Sequence, residues 1–144
     1  MEPHFYNVDI HWKNDRQGEM SSPELSHKFE VATPPQFPKG MEKIWSPEHL
    51  FTSAVASCLM TTFLAIAENS RLEFTGFECK SAGKLEQVEG KFLMTEIILE
   101  PTVTIVNPED QEKAERVLQK SEAACLISNS IKSKVTMIPT IKIS

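Results

Sequence analysis

The strongest constraint on the fold of this chain is a helix-forming segment whose apolar side chains face almost every direction. Ser46-Pro47-Glu48 predicts the helix start: a hydroxyl cap, a proline whose missing N–H has no partner there, and a carboxylate at the positive end of the dipole. The helix is predicted to end near Ser70. Residues 50–67 are apolar on nearly every side, so the helix needs more partners than one thin sheet of this chain supplies. We therefore expect a buried central helix in a dimer.

The N-terminal third of the chain predicts two strands and a loop. Apolar and polar residues alternate over 6–12, as in a half-buried strand, and a hairpin turn is expected at 14–18. A second strand is predicted around Ser26 to Val31. The prolines of the segment from Thr33 to Gly40 lack backbone donors, which predicts an irregular loop.

The rest of the chain predicts a long hairpin, a second helix and a final strand. Phe74–Glu86 and Lys91–Ile105 are rich in β-branched and aromatic residues. Helix-start residues follow at 107–110, so Cys125 is expected at or just past a helix end. The segment 134–143 predicts a final strand. Pro139 within it lacks a backbone donor, which indicates an edge strand or a bulge. The order ββ-α-ββ-α-β predicts an α+β fold in one domain, residues 1–144.

Composition excludes several classes of function. A net charge of −5 with scattered lysines argues against binding to nucleic acid. We expect no membrane span, because the run from Ala54 to Ala67 is shorter than the roughly 20 residues needed, and no export signal. Three cysteines without CxxC spacing fit free thiols in a reducing, cytoplasmic compartment. The scattered histidines predict no metal site, and no bound cofactor is expected.

The cysteines each allow a structural interpretation. A free cysteine in an apolar helix, such as Cys58, is usually a small buried hydrophobe. Cys79 alternates with Phe77 on a predicted strand, which favours the structural interpretation. Cys125 differs because the irregular backbone at a helix terminus can aim its side chain at a neighbour.

A set of short motifs resembles one known family. The set is Trp12 with Arg16 and Gly18, then Ser46 to Phe51, then Ala56-Ser57-Cys58, and finally Ala123 to Ser128. In order and spacing, from about Val8 to Thr136, it resembles the OsmC/Ohr family of thiol-dependent hydroperoxide peroxidases. The resemblance implies an intertwined homodimer with paired central helices between antiparallel sheets. Leu126 stands where many members carry proline, and the loop from Thr33 to Ile44 lacks the glycine-rich run of the organic-hydroperoxide-resistance branch.

The resemblance also implies roles for four residues. Cys58 would be the peroxidatic cysteine, Cys125 the resolving one, Arg16 the cation that stabilises the thiolate and Glu48 its carboxylate partner. Only a thiolate attacks a peroxide, and a resolving thiol protects the resulting sulfenic acid from further oxidation. An external dithiol or lipoyl-type reductant would reset the pair. Structurally, Glu48 could be only a helix-start carboxylate, and Arg16 only a solvated turn residue.

Helix geometry predicts how these residues would share a site. Ten residues separate Glu48 from Cys58, which is about 15 Å along a helix axis. We expect two composite sites per dimer, with both cysteines from one chain and Arg16 and Glu48 from the other. The alternative function is a non-catalytic dimer that binds a small hydrophobic molecule in an interface cleft, lined by Phe37, Trp45, Phe51 and Met60.

Overall fold

The structure, a computed structural model, describes residues 1–144 and is α+β, as predicted. Two compact units make up the chain, Met1–Leu50 and Phe51–Ser144. Three strands form one sheet and four strands form the other, and there are two α-helices and two short 3₁₀ turns.

The first unit carries a three-stranded antiparallel sheet, β1 (Asp9–Asn14), β2 (Gln17–Ser22) and β3 (Leu25–Ala32), with β2 in the centre. The prediction of two strands was wrong here, since β2 was missed. Its sequence, QGEMSS, has no apolar alternation, and hydrogen bonding to strands on both sides defines it instead.

The loop after β3 closes on itself. Met41 N–H donates to the carbonyl of Thr33 at 2.8 Å, and Gly40 N–H donates to that of Phe37 at 2.9 Å. A Cβ on Gly40 would overlap the carbonyl oxygen of Pro34, so only glycine fits there. The predicted proline-rich loop is confirmed, and it is tightly folded.

The second unit carries a mixed sheet. The hairpin of β4 (Phe74–Val88) and β5 (Lys91–Ile105) is confirmed, and its turn residues Glu89 and Gly90 both have positive φ, as two-residue hairpin turns require. The chain then forms a 3₁₀ turn (Pro108–Asp110) and α2 (Gln111–Ala124), followed by a second 3₁₀ turn (Ser128–Ser130).

Two short strands, β6 (Lys134–Met137) and β7 (Thr140–Ile143), complete this sheet. They replace the one strand predicted, because the chain leaves the ladder around Pro139. Both pair with β5 in parallel, which corrects the expectation of purely antiparallel sheets. The parallel pairing follows from the connection, since α2 carries the chain back before β6 begins.

The first helix, α1 (Pro47–Asn69), has close to the predicted bounds. A capping box fixes its N-terminus: His49 N–H donates to Ser46 Oγ at 3.2 Å, and Ser46 N–H donates to His49 Nδ1 at 3.3 Å. Ser46 Oγ lies 2.6 Å from the same nitrogen, and the ring of Trp45 packs edge-on against His49. The predicted Ser46 cap is confirmed, with histidine in the position that glutamate usually takes.

In the second unit α1 buries a row of side chains. Val55 and Leu59 pack with Ile97 and Leu99 of β5. Farther along the helix, Phe63 belongs to a second cluster that includes β5 and α2 and whose buried members are Phe63, Ala67, Leu72, Val103, Ile105, Ala114, Val117 and Leu118. These contacts place one side of α1, from its third to its sixth turn, against the core of this unit.

Apolar side chains on other sides of α1 are exposed. Met60 is 39% exposed and Leu64 is 42% exposed. The helix has 23 residues and a segment with a mean hydropathy of 1.9, so it is long and apolar enough to span a membrane by those two measures. Our objection on length was therefore wrong. The core helix of a soluble protein passes the same test, and one side of α1 packs against the two clusters.

Candidate active site

Cys58 and Cys125 come together in the second unit. Cys58 lies on the buried side of α1, between Val55 and Leu59, and Cys125 is the C-terminal cap residue of α2. Both are free thiols, 9% and 1% exposed respectively, and they lie close enough for each to shift the pKa of the other. Cys125 therefore lies where the sequence predicts, at the helix end and in reach of Cys58.

The surroundings of Cys58 favour its ionised form. Burial is the largest single influence and opposes ionisation, but four hydrogen bonds outweigh it and lower the pKa of Cys58. In order of effect, the donors are the Cys125 side chain, the backbone N–H of Ile127, the Thr62 hydroxyl and the backbone N–H of Leu126. The Thr62 Oγ1 lies 3.9 Å from Cys58 Sγ.

The pKa of Cys125 moves in the opposite direction. Burial raises it most, and the hydrogen bond and the charge of Cys58 raise it further, against smaller opposing effects of Ser128. A thiol that donates to a thiolate keeps its own proton. Cys58 is therefore the more acidic thiol of the pair and Cys125 the less acidic one.

Sequence reasoning missed three of the groups around Cys58. Thr62 could have been found, because a residue four positions later lies one helical turn along the same face. The N–H groups of Leu126 and Ile127 could not, because any residue except proline carries such a donor and only the fold aims it.

Cys79 forms its hydrogen bonds with Lys80 and Ser81 and with neither of the other two cysteines. It is half-buried on β4, packs against the cluster of Val55 and Leu59, and lies 3.5 Å from Ser81 Oγ. This environment fits the structural interpretation of Cys79.

Arg16 and Glu48 belong to the first unit. Arg16 is exposed in the two-residue turn between β1 and β2, where its carbonyl accepts the N–H of Thr33 at 3.2 Å. It lines a cavity of about 590 Å³ together with Ile10, Trp12, Asp15, Gln17, Gly18, Val31, Ala32, Thr33 and Pro47. Glu48 is half-buried in the first turn of α1, which continues without interruption to Asn69.

A second cavity of the first unit, about 560 Å³, bears on the alternative function. Trp45, which is 52% exposed, and His49 line it with Pro35, Gln36, Glu42, Lys43 and Ile44. Of the four aromatic and apolar residues proposed for a hydrophobic cleft, only Trp45 lines this cavity. Its lining includes two charged side chains, which suits a polar molecule better than a hydrophobic one. Nowhere in residues 1–144 do three or more His, Cys, Asp or Glu side chains come together as metal ligands.

Comparison with known proteins gives consistent results. The chain is 25% identical to the uncharacterized protein YmaD of Bacillus subtilis, over 95% of this chain and 93% of that protein. It resembles the structure of an OsmC-like protein of unknown function from Vibrio cholerae, with a TM-score of 0.85 and 22% identity over 95% of this chain and 99% of that one. An organic hydroperoxide resistance protein OsmC from Legionella pneumophila matches with a TM-score of 0.78 and 21% identity over 99% of both chains.

The structural matches establish the fold, and the sequence establishes the family. Residues 40–139, well over half of the chain, match the family model described as OsmC-like protein. This chain belongs to the family of OsmC-like proteins.

Proposed function

We propose that this protein is a thiol-dependent peroxidase that reduces organic hydroperoxides or hydrogen peroxide. One observation carries the proposal: two buried thiols lie close enough to shift each other's pKa, and their surroundings shift the two pKa values in opposite directions. A lowered pKa supplies the thiolate that attacks peroxide, and the adjacent neutral thiol is ready to resolve the product. Two of the related structures are named organic hydroperoxide resistance proteins, and these names support the same chemistry.

The proposed reaction has three steps. The Cys58 thiolate attacks the terminal hydroxyl oxygen of the hydroperoxide, so an S–O bond forms and the O–O bond breaks. The departing alkoxide, or hydroxide from hydrogen peroxide, takes a proton to become alcohol or water. The Cys125 thiol then displaces hydroxide from the Cys58 sulfenic acid, giving a disulfide and, after protonation, water. Finally an external dithiol reduces the disulfide by exchange and is itself oxidised.

We further propose that the working form is a homodimer with composite sites. Several large apolar side chains are exposed in the single chain, as expected if a partner chain covers them in a dimer. They include Ile10 and Trp12 of β1 and Met60 and Leu64 of α1. Glu48 and Cys58 lie ten residues apart on one helix, so a partner chain is the simplest source of Arg16 and Glu48 for each thiol pair. Mixing Cys58→Ser chains with Arg16→Ala chains should then restore activity in the heterodimers.

The experiment that tests the peroxidase proposal counts thiols and products. One equivalent of hydroperoxide should remove two thiols per chain in the wild type and in Cys79→Ser. Cys58→Ser should lose sustained turnover with dithiol, because a hydroxyl has no comparable anion near neutral pH. Cys125→Ser should turn over once and then gain oxygen mass on Cys58. Sustained dithiol-driven turnover by Cys58→Ser would refute the assignment, and no loss of thiols in the wild type would favour a non-catalytic binding protein.

A further inference from the structure

One glycine of β4 lies where no side chain fits between the sheet and α1. A Cβ on Gly83 would overlap Thr52 Oγ1 of α1 and would lie 2.7 Å from Met94 Cε. Gly90 is the glycine of this chain with a positive φ, so the backbone at Gly83 is one that other residues also adopt. A glycine inside a strand weakens the strand, and it often marks the close approach of another element. Space therefore explains Gly83, and α1 occupies that space.

The contact at Gly83 belongs to the layer in which α1 packs on the sheet. Gly83 lies opposite Ile97 in the β4–β5 ladder, and a Cβ on Gly83 would be 3.4 Å from Ile97 Cδ1. Thr52 and Leu59 are seven residues apart on α1, and residues at that spacing share one face of a helix. Leu59 packs in the same buried cluster as Ile97. The contacts of Thr52 and Leu59 thus set how closely this face of α1 approaches the sheet.

The same cluster links that approach to both cysteines. Cys58 directly precedes Leu59 on α1. On the other side, Ile127 packs against the cluster that contains Leu59, and Ile127 follows Cys125 by two residues. Relief of an overlap at Gly83 by movement of the helix would need about 1 Å, because packed heavy atoms lie about 3.5–4.0 Å apart. A shift of about 1 Å between reacting groups can slow their reaction about a hundredfold.

We propose that Gly83 is a positioning residue for the thiol pair: without a side chain there, α1 packs close enough to the sheet for Cys58 to reach Cys125. The catalytic meaning of this role rests on the proposed function, in which the two sulfurs must form a disulfide. Gly83 and Thr52 act on Cys58 through the position of α1.

The measurement is the equilibrium between the Cys58–Cys125 dithiol and its disulfide in dithiothreitol redox buffers at neutral pH, in a Cys79→Ser background. The protein pair becomes a disulfide as oxidised dithiothreitol is reduced to its dithiol. Gly83→Ala should lower the equilibrium constant for disulfide formation by at least about tenfold, which raises the reduction potential by about 30 mV. A loss of global stability alone would not move this equilibrium while both redox forms stay folded, which far-UV circular dichroism checks.

Gly76→Ala is the matched control, since it makes the same change on the same strand where a Cβ would have no neighbour closer than 3.5 Å. Thr52→Ala tests the cause from the helix side. Combined with Gly83→Ala, it removes the overlapping oxygen, and Met94 Cε, the other close neighbour, is the end of a flexible side chain. The double variant should return to the equilibrium of Thr52→Ala alone, because substitutions of contacting residues are not additive.

The proposal is overturned if folded Gly83→Ala shifts the equilibrium no more than Gly76→Ala does. It is also overturned if the double variant does not recover, because the overlap with Thr52 would then not be the cause. If Gly83→Ala does not fold, Thr52→Ile adds bulk at the same contact and should lower the equilibrium constant; an unchanged constant would refute the role of Gly83. The exchange uses no peroxide, so the expected shift in a protein that reduces no peroxide would retain this role and overturn only the proposed function.

Discussion

Replacing Ser46 by alanine should destabilise the protein by about 2 kcal/mol, at the upper end of the range for losing an N-cap. The reason is its position. Ser46 is completely buried, so water cannot replace the lost hydroxyl, and its Oγ serves both the N–H of His49 at 3.2 Å and the imidazole Nδ1 at 2.6 Å. One substitution therefore removes the central atom of the capping box at the start of α1.

The assay is urea unfolding at a fixed protein concentration, because association would make the midpoint depend on concentration. With a slope of about 2 kcal/mol per molar urea, the midpoint should fall by about 1 M. Ser57→Ala is the matched control, since Ser57 is an exposed serine in the same helix whose hydroxyl donates only to the Ala54 carbonyl at 3.3 Å. It should change stability by less than about 0.5 kcal/mol, because alanine is the better helix former.

A double-mutant cycle with His49→Ala separates the two halves of the box. A coupling free energy of about 0.5–1.5 kcal/mol is expected between Ser46 and His49, since they are direct partners. The reasoning fails if Ser46→Ala is no more destabilising than Ser57→Ala. It also fails if the two substitutions are additive.

Three further outcomes are expected. Because the pKa of Cys58 is lowered and that of Cys125 is raised, acidifying from pH 9 to 7 should slow the alkylation of Cys125 more than that of Cys58. Peptide mapping measures both rates, and the reverse order would contradict Cys58 as the more acidic thiol. Gly40→Ala should lower the free energy of unfolding by about 1–3 kcal/mol, because the new Cβ would overlap the carbonyl oxygen of Pro34. Gly76→Ala is the control, since its Cβ would have no neighbour closer than 3.5 Å. Equal urea midpoints for the two variants would disprove the overlap at Gly40. Leu64→Asp should weaken the proposed dimer by at least about tenfold, since an unpaired carboxylate would be buried in its interface. An unchanged mass by light scattering would exclude this side of α1 from the proposed interface.

Patterns with local causes could be predicted from the sequence. The bounds of α1 follow from Ser46 and Pro47 at its start, and the long hairpin follows from β-branched residues on either side of Gly90. Cys125 was placed at a helix end because helix-start residues at 107–110 set the beginning of that helix. Each of these signals lies within a few residues of the element it defines.

Features with non-local causes could not be predicted. The strand β2 exists because two neighbours pair with it, and its own residues carry no strand pattern. The parallel pairing of β6 and β7 depends on where α2 returns the chain. In the same way, the proximity of Cys125 to Cys58 has no local cause in the sequence, because it arises only where the end of α2 meets α1.

The connectivity of β5 has a consequence for the order of folding. Its pairing with β4 needs only closure of a two-residue turn, whereas β6 and β7 join it after the whole of α2 has been ordered. Cys125 lies in that connection, at the end of α2, so we expect the two thiols to meet among the last events of folding. Pulsed alkylation during refolding should protect Cys58 and Cys125 together, after the hairpin amides; earlier protection of the pair would contradict this order. A newly made chain would then acquire its reactive sulfur only once its core is complete, and unfinished chains would be spared premature oxidation.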